Sequence, residues 1–253
     1  MMQPAALVLA GTRPGGDPFA KEQGVAHKAL IEIDGISLVE RVVSALRGAG
    51  VERIAVSCDD GEVAALARSF GAETIATGIG PSASVAAGFA YLGAPMIVTT
   101  SDHALLKAAW IRQLVQDTPA NADLSVMLAK RERIESELPG SKRTYLRFAD
   151  GQWSGCNLFY LQTSEAARAL DVWAMVEADR KRPWRIAARL GLTTLFSMLV
   201  GKLSLAEGLA RLGERIGVSA SLVEAKSGLA AVDVDKAQDL QSVREILAST
   251  DEK

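Results

Sequence analysis

Three segments of the chain hold residue types suited to handling phosphates and a hard cation. The first runs Leu9-Ala10-Gly11-Thr12-Arg13-Pro14-Gly15-Gly16-Asp17-Pro18 and is followed by His27-Lys28-Ala29-Leu30. Glycines in such a loop let backbone amides approach anionic oxygens, while Arg13 and Lys28 carry charge that offsets the negative charge building as a phosphate chain breaks. The segment therefore reads as a triphosphate cradle, although a solvated glycine-rich turn has the same composition. No Gly-Lys-Ser/Thr opens a helix, which excludes a Walker-type loop. The second segment is Val98-Thr99-Thr100-Ser101-Asp102-His103-Ala104-Leu105-Leu106, where a β-branched run ends in an acid. Ligands of open α/β sheets gather at the carboxyl ends of strands, and a carboxylate there suits Mg²⁺; the alternative role for Asp102 is a cap on the following helix. In the third, Ala231 to Leu240, Asp233 and Asp235 follow an apolar run and Asp239 is placed to begin or cap the last helix.

Other candidates divide less sharply. Lys142-Arg143-Thr144 and Arg180-Lys181-Arg182-Pro183-Trp184 are basic clusters, suited to an acceptor phosphate or to a solvated face. Gly80-Pro81-Ser82-Ala83-Ser84 leads into small residues, so Ser84 also fits a serine-rich helix start. Two histidines offer no catalytic pattern, and His27 merely precedes Lys28. Cys58 and Cys156 have neither disulfide-framework nor zinc spacing, which favours a reducing, cytoplasmic setting.

The elements that must position these groups follow from hydrophobic period. Short β-branched runs alternate with amphipathic stretches from residue 5 to about 129, predicting crossover units and strands at Ala6-Leu9, Arg53-Ser57, Glu73-Ala76 and Met96-Thr100. Ser37 and Glu40 predict a capping box with Gly50 as the helix stop, leaving Arg41, Arg47 and Glu52 on the wet side. From about 123 to 161 the pattern alternates around an Asp150-Gly151 turn, predicting antiparallel strands Asp123-Ala129, Thr144-Phe148 and Asn157-Leu161 and hence a mixed sheet. A helical insertion at about 163–216 carries a second capping box, Ser204 with Glu207; strands at Ser219-Val223 and Ala230-Val234 and a last helix follow.

Composition bounds the class. Over 253 residues, 49% hydrophobic content and a net charge of -2 describe a single globular domain without the positive field that draws proteins to nucleic acid or anionic lipid. The run Ala5 to Ala10 reads as a first strand rather than a signal peptide, and Leu190 to Val200 is well short of the roughly 20 residues that cross a bilayer. The apolar stretch within 184–203 suits core packing or a dimer contact, with a lid over a greasy acceptor or a peripheral membrane contact as alternatives.

Taken in order, Leu-Ala-Gly-x-Arg, Lys-Ala-Leu, Ile-x-Gly-x-x-Leu-x-x-Arg-Val, the Gly80 to Gly88 turn with its Ser-Val-x-x-Gly ending, the Asp102 strand end and the Asp233 segment resemble the nucleotidyltransferase superfamily. That superfamily includes molybdenum-cofactor guanylyltransferase, methylerythritol-phosphate cytidylyltransferase and the sugar-phosphate uridylyltransferases. The matching residues of the first blocks are Leu9, Ala10, Gly11, Arg13, Lys28, Leu30, Ile33, Gly35, Leu38, Arg41 and Val42. One departure is that Gly11 is followed immediately by Thr12 and Arg13, a shorter turn than those families carry. The resemblance implies a Rossmann-like three-layer α/β sandwich with a mixed, mainly parallel sheet, of the nucleotide-diphospho-sugar transferase, GT-A type. It implies transfer of a nucleotidyl group from a nucleoside triphosphate to a phosphorylated small-molecule acceptor, with pyrophosphate released. Arg13 and Lys28 would be catalytic; Leu9, Ala10, Gly11, Thr12, Gly80 and Ser84 would bind nucleotide, the turn tilting toward CTP over GTP or UTP. Asp102 and Asp233 would hold Mg²⁺, with Asp235 in reserve, and Asn157 and Arg143 would face the acceptor. A catalytically inactive nucleotide- or sugar-nucleotide-binding protein and a GT-A glycosyltransferase remain alternatives, the latter weakened because Asp102 is followed by His103 and Ala104 rather than by x-Asp. Either a monomer or a homodimer is compatible with the sequence.

Overall fold

A computed structural model describes residues 3–12, 15–59, 61–178 and 203–251. Its frame is one sheet in which chain order and spatial order diverge. The strands are β1 (Ala5–Leu9), β4 (Ile54–Ser57), β5 (Glu73–Ile75), β6 (Met96–Thr100), β7 (Leu124–Lys130), β9 (Gly151–Leu161) and β10 (Ala220–Glu224), with β8 (Leu146–Phe148) added on β9. They lie in the order β10-β7-β9-β6-β1-β4-β5, while β2 (Glu32–Ile33) and β3 (Ile36–Ser37) form a separate small ribbon. β1 pairs in parallel with β4 and β6, β4 with β5, and β10 with β7. β9 is antiparallel to β6, β7 and β8, so it runs against every other strand of the sheet.

The central strand shows why three layers form. Ala6 and Val8 of β1 join the core beneath α2 (Leu38–Gly48), α3 (Glu62–Ser69) and α5 (Ala108–Asp117). Leu7, one residue out of phase, joins Val85, Met96, Val98 and Leu170 beneath α4 (Pro81–Leu92) and α7 (Ala167–Ala178). Period-two alternation on a strand with both faces covered demands apolar residues at every position, and β1 is buried along almost its whole length. α4 approaches closely because it carries Gly88, where a Cβ would collide with Leu7 Cδ2. α8 (Leu205–Glu214) closes a third, smaller cluster of Leu128, Trp153 and Leu205.

Local signals survive well. Ser204 and Glu207 form a complete capping box. At Ser37, Oγ accepts the Glu40 amide at 3.2 Å, one half of the expected box. The Asp150-Gly151 turn joins β8 to β9 with Gly151 at φ 130°, a conformation that favours glycine.

Four expectations need correcting. Ala230-Val234 is not a strand: Gly228–Ala231 is a 3₁₀ turn, held because the Glu137 carboxylate at the end of α6 (Arg131–Glu137) takes the Gly228 amide at 3.0 Å and the Ser227 hydroxyl at 2.6 Å. Its apolar residues are buried by packing rather than by a ladder. Asn157-Leu161 begins earlier, at Gly151, since cross-strand pairing with β7 and β8 recruits Gly151 to Cys156, where the buried Trp153 stands among small and polar residues. Thr144-Phe148 starts only at Leu146. Arg41 is not on a wet face, because its guanidinium donates to the Ile33 carbonyl at 2.5 Å and pins the β2–β3 ribbon to α2.

Candidate functional site

The carboxyl ends of β5, β4, β1 and β6 meet at one edge, and backbone bonds stitch them together there. Cys58 donates to the Ile75 carbonyl at 3.0 Å, Ala10 to Ser57 at 2.8 Å and Ser101 to Leu9 at 2.9 Å. Ala10 and Gly11 are therefore flanked by the residues that leave β4 and β6. Gly11 sits against the Thr77 side chain, whose hydroxyl donates to Asp59. Beneath lies a cavity of about 330 Å³ lined by Ala10, Ala26, His27, Leu30, Cys58 and Asp59 among others.

Lys28 is aimed by the residue before it. His27 Nδ1 accepts the Ala29 amide at 2.9 Å and so caps the 3₁₀ turn Lys28–Leu30. Lys28 Nζ then lies 2.6 Å from Asp102 Oδ2 and 2.6 Å from Asp235 Oδ1. Burial pulls this ammonium's pKa down, but the two carboxylates outweigh it and raise it well above the ordinary lysine value. Lys28 is a fixed positive charge at neutral pH.

Asp102 does not cap a helix. α5 begins six residues later with Lys107 at its N-cap, and Asp102 instead accepts from the Thr100 hydroxyl at 2.5 Å as well as from Lys28. Its backbone carbonyl accepts the Val234 amide at 3.0 Å, which brings the Asp233 segment to the same edge. The Asp233 oxygens are held by Arg143 Nη2 at 2.5 Å and Asn157 Nδ2 at 3.1 Å. Asn157 reaches that position from an irregularity in the β7–β9 register, with φ at 49°, a region that non-glycine residues seldom occupy. Asp239 Oδ2 accepts the Asp235 amide at 3.1 Å at the start of α9 (Ala237–Asp251), which is the expected capping role.

Just inside this cluster His103 is fully buried and stacks on Trp110 with ring centroids 6.1 Å apart. Among the described residues its ring nitrogens make no well-formed hydrogen bond, only a marginal approach to the Ala230 backbone that opposes the lowering of its pKa. Burial lowers its pKa to about 4; Arg143 acts in the same direction and Asp233 against it. Cys156, also buried, has its thiol pushed far above the usual range by desolvation.

At the expected base-reading turn, Ser84 Oγ accepts the Gly78 amide at 2.9 Å, so the hydroxyl closes the turn on itself. Ser84 is not the N-cap: Gly80 holds that place, and the Glu177 carboxylate from α7 accepts the Ser82 amide at 3.0 Å. A Cβ on Gly80 would collide with Glu177.

The structure thus gathers Leu9, Ala10, Gly11, Lys28, Asp102, Asp233, Arg143 and Asn157 at one sheet edge, with Thr12 next in the chain after Gly11. Gly80 and Ser84 lie in the neighbouring turn, linked to that edge through Thr77 and Gly11. Arg13 lies outside the described residues, as does the apolar stretch of 184–203 apart from Leu203, which is buried. Three contributors escaped sequence reasoning. Asp59 and Glu177 are single acids with no motif around them, and Thr100 reads as an ordinary strand residue. Among the described residues, no group of three or more His, Cys, Asp or Glu side chains could hold a metal, and no helix is long and apolar enough to cross a membrane.

A mainly parallel sheet with one reversed strand, glycine-loop residues at its centre and acids at the flanking strand end define a nucleotidyltransferase-type α/β protein. The chain belongs to the MobA-like NTP transferase domain family, whose model matches residues 6–215. It is similar over 94% of its length to the whole of a hypothetical transferase from Thermus thermophilus, at 32% identity and a TM-score of 0.82. At the level of fold it is also similar to CMP:2-keto-3-deoxy-manno-octonic acid synthetase complexed with CTP, at 17% identity, covering 98% of this chain and all of that one with a TM-score of 0.62. The corresponding figures for 4-diphosphocytidyl-2C-methyl-D-erythritol synthase are 14%, 97%, the whole chain and 0.59. Comparison with curated proteins gives no match.

Proposed function

We propose that this chain transfers a nucleotidyl group from a nucleoside triphosphate, CTP preferred, to a phosphorylated small-molecule acceptor. An acceptor phosphate oxygen bonds to the α-phosphorus, the bond from that phosphorus to the bridging oxygen of the β-phosphate breaks, and pyrophosphate departs with the bond's electron pair. The observation that carries this reading is the pairing of Lys28 with both Asp102 and Asp235 beside the Gly11 loop.

The donor set suits a hard divalent cation. Asp102 and Asp233 offer only oxygen, and Mg²⁺ is commonly held by one or two carboxylates with water and phosphate completing its shell. The ammonium between Asp102 and Asp235 already acts as a cation in this acidic corner. When bound at Asp102 and Asp233, Mg²⁺ would offset triphosphate charge and fix its orientation. The chain's own residues carry the rest. The amides around Gly11 approach the phosphates, the permanently charged Lys28 stabilises the charge developing on them, and the Gly78–Ser84 turn with the adjacent cavity takes the nucleoside. Arg143 and Asn157 face the acceptor.

A pyrophosphate-release screen of the four nucleoside triphosphates against phosphorylated sugars, polyols and cofactor precursors, with Mg²⁺, tests this. Release that needs both a triphosphate and one acceptor class is the expected result. In thermal-shift titration CTP should stabilise the protein most, since linked stabilisation follows affinity for the folded state. Saturable nucleotide binding without release for any acceptor would instead support a binding protein, a reading that the full engagement of Lys28 by two acids keeps open.

A further inference from the structure

We infer that Arg143 is an exchange partner for the cation at Asp233: it neutralises the carboxylate while the cation is absent, and is freed for an anionic group of the acceptor when the cation binds. This rests on the proposed nucleotidyl transfer and adds an order to it, in which the acceptor subsite is completed only after the metal end is filled.

Three observations carry the inference. First, both oxygens of Asp233 are engaged, by Arg143 Nη2 at 2.5 Å and Asn157 Nδ2 at 3.1 Å. The groups that should face the acceptor are therefore spent on the acid that should face the metal. Second, Arg143 is poorly satisfied where it lies. Its Nε and the nearby Tyr145 hydroxyl are buried without a hydrogen-bond partner among the described residues. Buried polar groups normally find partners, so such a concentration marks a place shaped for something more. The Arg143 side chain is only 11% exposed, so solvent scarcely compensates. Third, Asn157 is carried to Asp233 by a left-handed backbone at a register irregularity, the kind of local strain that accompanies functional placement.

Charge balance gives the exchange its direction. Asp102, Asp233 and Asp235 face Lys28 and Arg143, so the resting cluster is one charge negative. A dication would make it one charge positive, releasing the guanidinium and favouring an anion. By reciprocity, an anion on Arg143 must strengthen cation binding by the same factor.

The test measures binding, not turnover. Mn²⁺ affinity of the full chain is determined by titration calorimetry for the wild type, Arg143→Gln, Arg143→Lys, Asp233→Asn and Arg131→Gln, with near-UV circular dichroism as the check of folding. Sulfate affinity is then measured with and without Mg²⁺. Arg143→Gln should bind Mn²⁺ more tightly by about 5-fold or more, at the lower end of ordinary coupling factors. Arg143→Lys, which keeps a cation on the acid, should stay near the wild type, and so should Arg131→Gln, a cation that contacts Tyr145 and not Asp233. Sulfate should bind the wild type at least about 5-fold more tightly with Mg²⁺ present, an enhancement lost in Arg143→Gln. Unchanged or weaker Mn²⁺ binding by Arg143→Gln, or sulfate affinity indifferent to Mg²⁺, overturns the exchange. Wild-type Mn²⁺ binding by Asp233→Asn would remove the metal assignment beneath it, whereas triphosphates that bind but never react would sink nucleotidyl transfer and leave the exchange standing.

Discussion

Replacing Lys28 by methionine separates a pin from a catalyst. The two roles differ in what they do to stability and to turnover. In the resting protein Lys28 compensates Asp102, whose side chain is 15% exposed, and Asp235, which is 63% exposed. The exposed pair is worth about 0–1 kcal/mol, whereas a hydrogen bond to a charged, mostly buried group is worth about 1.5–3 kcal/mol. Among the described residues, Lys28→Met leaves the Asp102 side chain with the Thr100 hydroxyl alone, so most of the loss falls there. At about 2–4 °C per kcal/mol for a chain of this size, Tm in EDTA should fall by roughly 3–12 °C. Adding Asp102→Asn removes the stranded charge and should restore much of that loss. Turnover should behave differently. A donor that meets charge developing in the transition state contributes about 2.7–4 kcal/mol, so kcat in the pyrophosphate-release assay should drop by about 10²–10³ with a much smaller change in KM. The double variant should regain stability and stay slow. Near-normal kcat in Lys28→Met would refute the reasoning, leaving Lys28 a structural pin and making Lys21, now bonded to the Gly15 carbonyl at 3.3 Å, the lysine to test.

Three further outcomes follow from the geometry. Gly88→Ala should lower Tm, because the new methyl lies 2.9 Å from Leu7 Cδ1 and closer still to Cδ2 in a buried interface; overpacking of this kind costs about 1–3 kcal/mol. Gly208→Ala, with 3.4 Å to Phe148, should be neutral or stabilising, and equal Tm values for both variants would contradict the close approach of α4 to β1. Thiol labelling at pH 8 should find both cysteines slow in the folded protein, with Cys58, which lines the cavity, faster than Cys156 and slowed by CTP; a Cys156 as reactive as Cys58 would contradict its burial. His27 has its pKa lowered, chiefly by burial, with Lys28 adding to the effect and Asp17 opposing it. Stability is therefore complete above the unfolded value near 6.5 and is lost as pH falls through the lower folded value. His27→Asn, which retains a capping acceptor, should show a flatter fall of Tm between about pH 7 and 5, and an unchanged slope would show that His27 does not drive the loss.

The sequence by itself determined what local chemistry decides. β1 and the Met96-Ile97-Val98 part of β6 are legible because a strand segment buried on both faces favours apolar residues at every position. The Ser204 and Glu207 box and the Asp150-Gly151 turn are legible because caps and turns are made by residues a few positions apart. Lys28 and Asp102 could be picked out because each stands beside the element that aims it, a short turn after His27 in one case and a strand end in the other. The tertiary structure decided everything that depends on which distant segments meet. It inserted β9 against the direction of every other strand, extended that strand through a segment of mostly small and polar residues, and left Ala230-Val234 without a ladder, the amides just before it being held by Glu137. It also turned Arg41 inward and assigned the acids their partners: Asp235 to Lys28, and Asp233 to Arg143 and Asn157. Periodicity and spacing report only how a segment would bury itself. Which carboxylate receives which cation is settled by competition among groups up to 207 positions apart, and only the folded chain brings them together to compete.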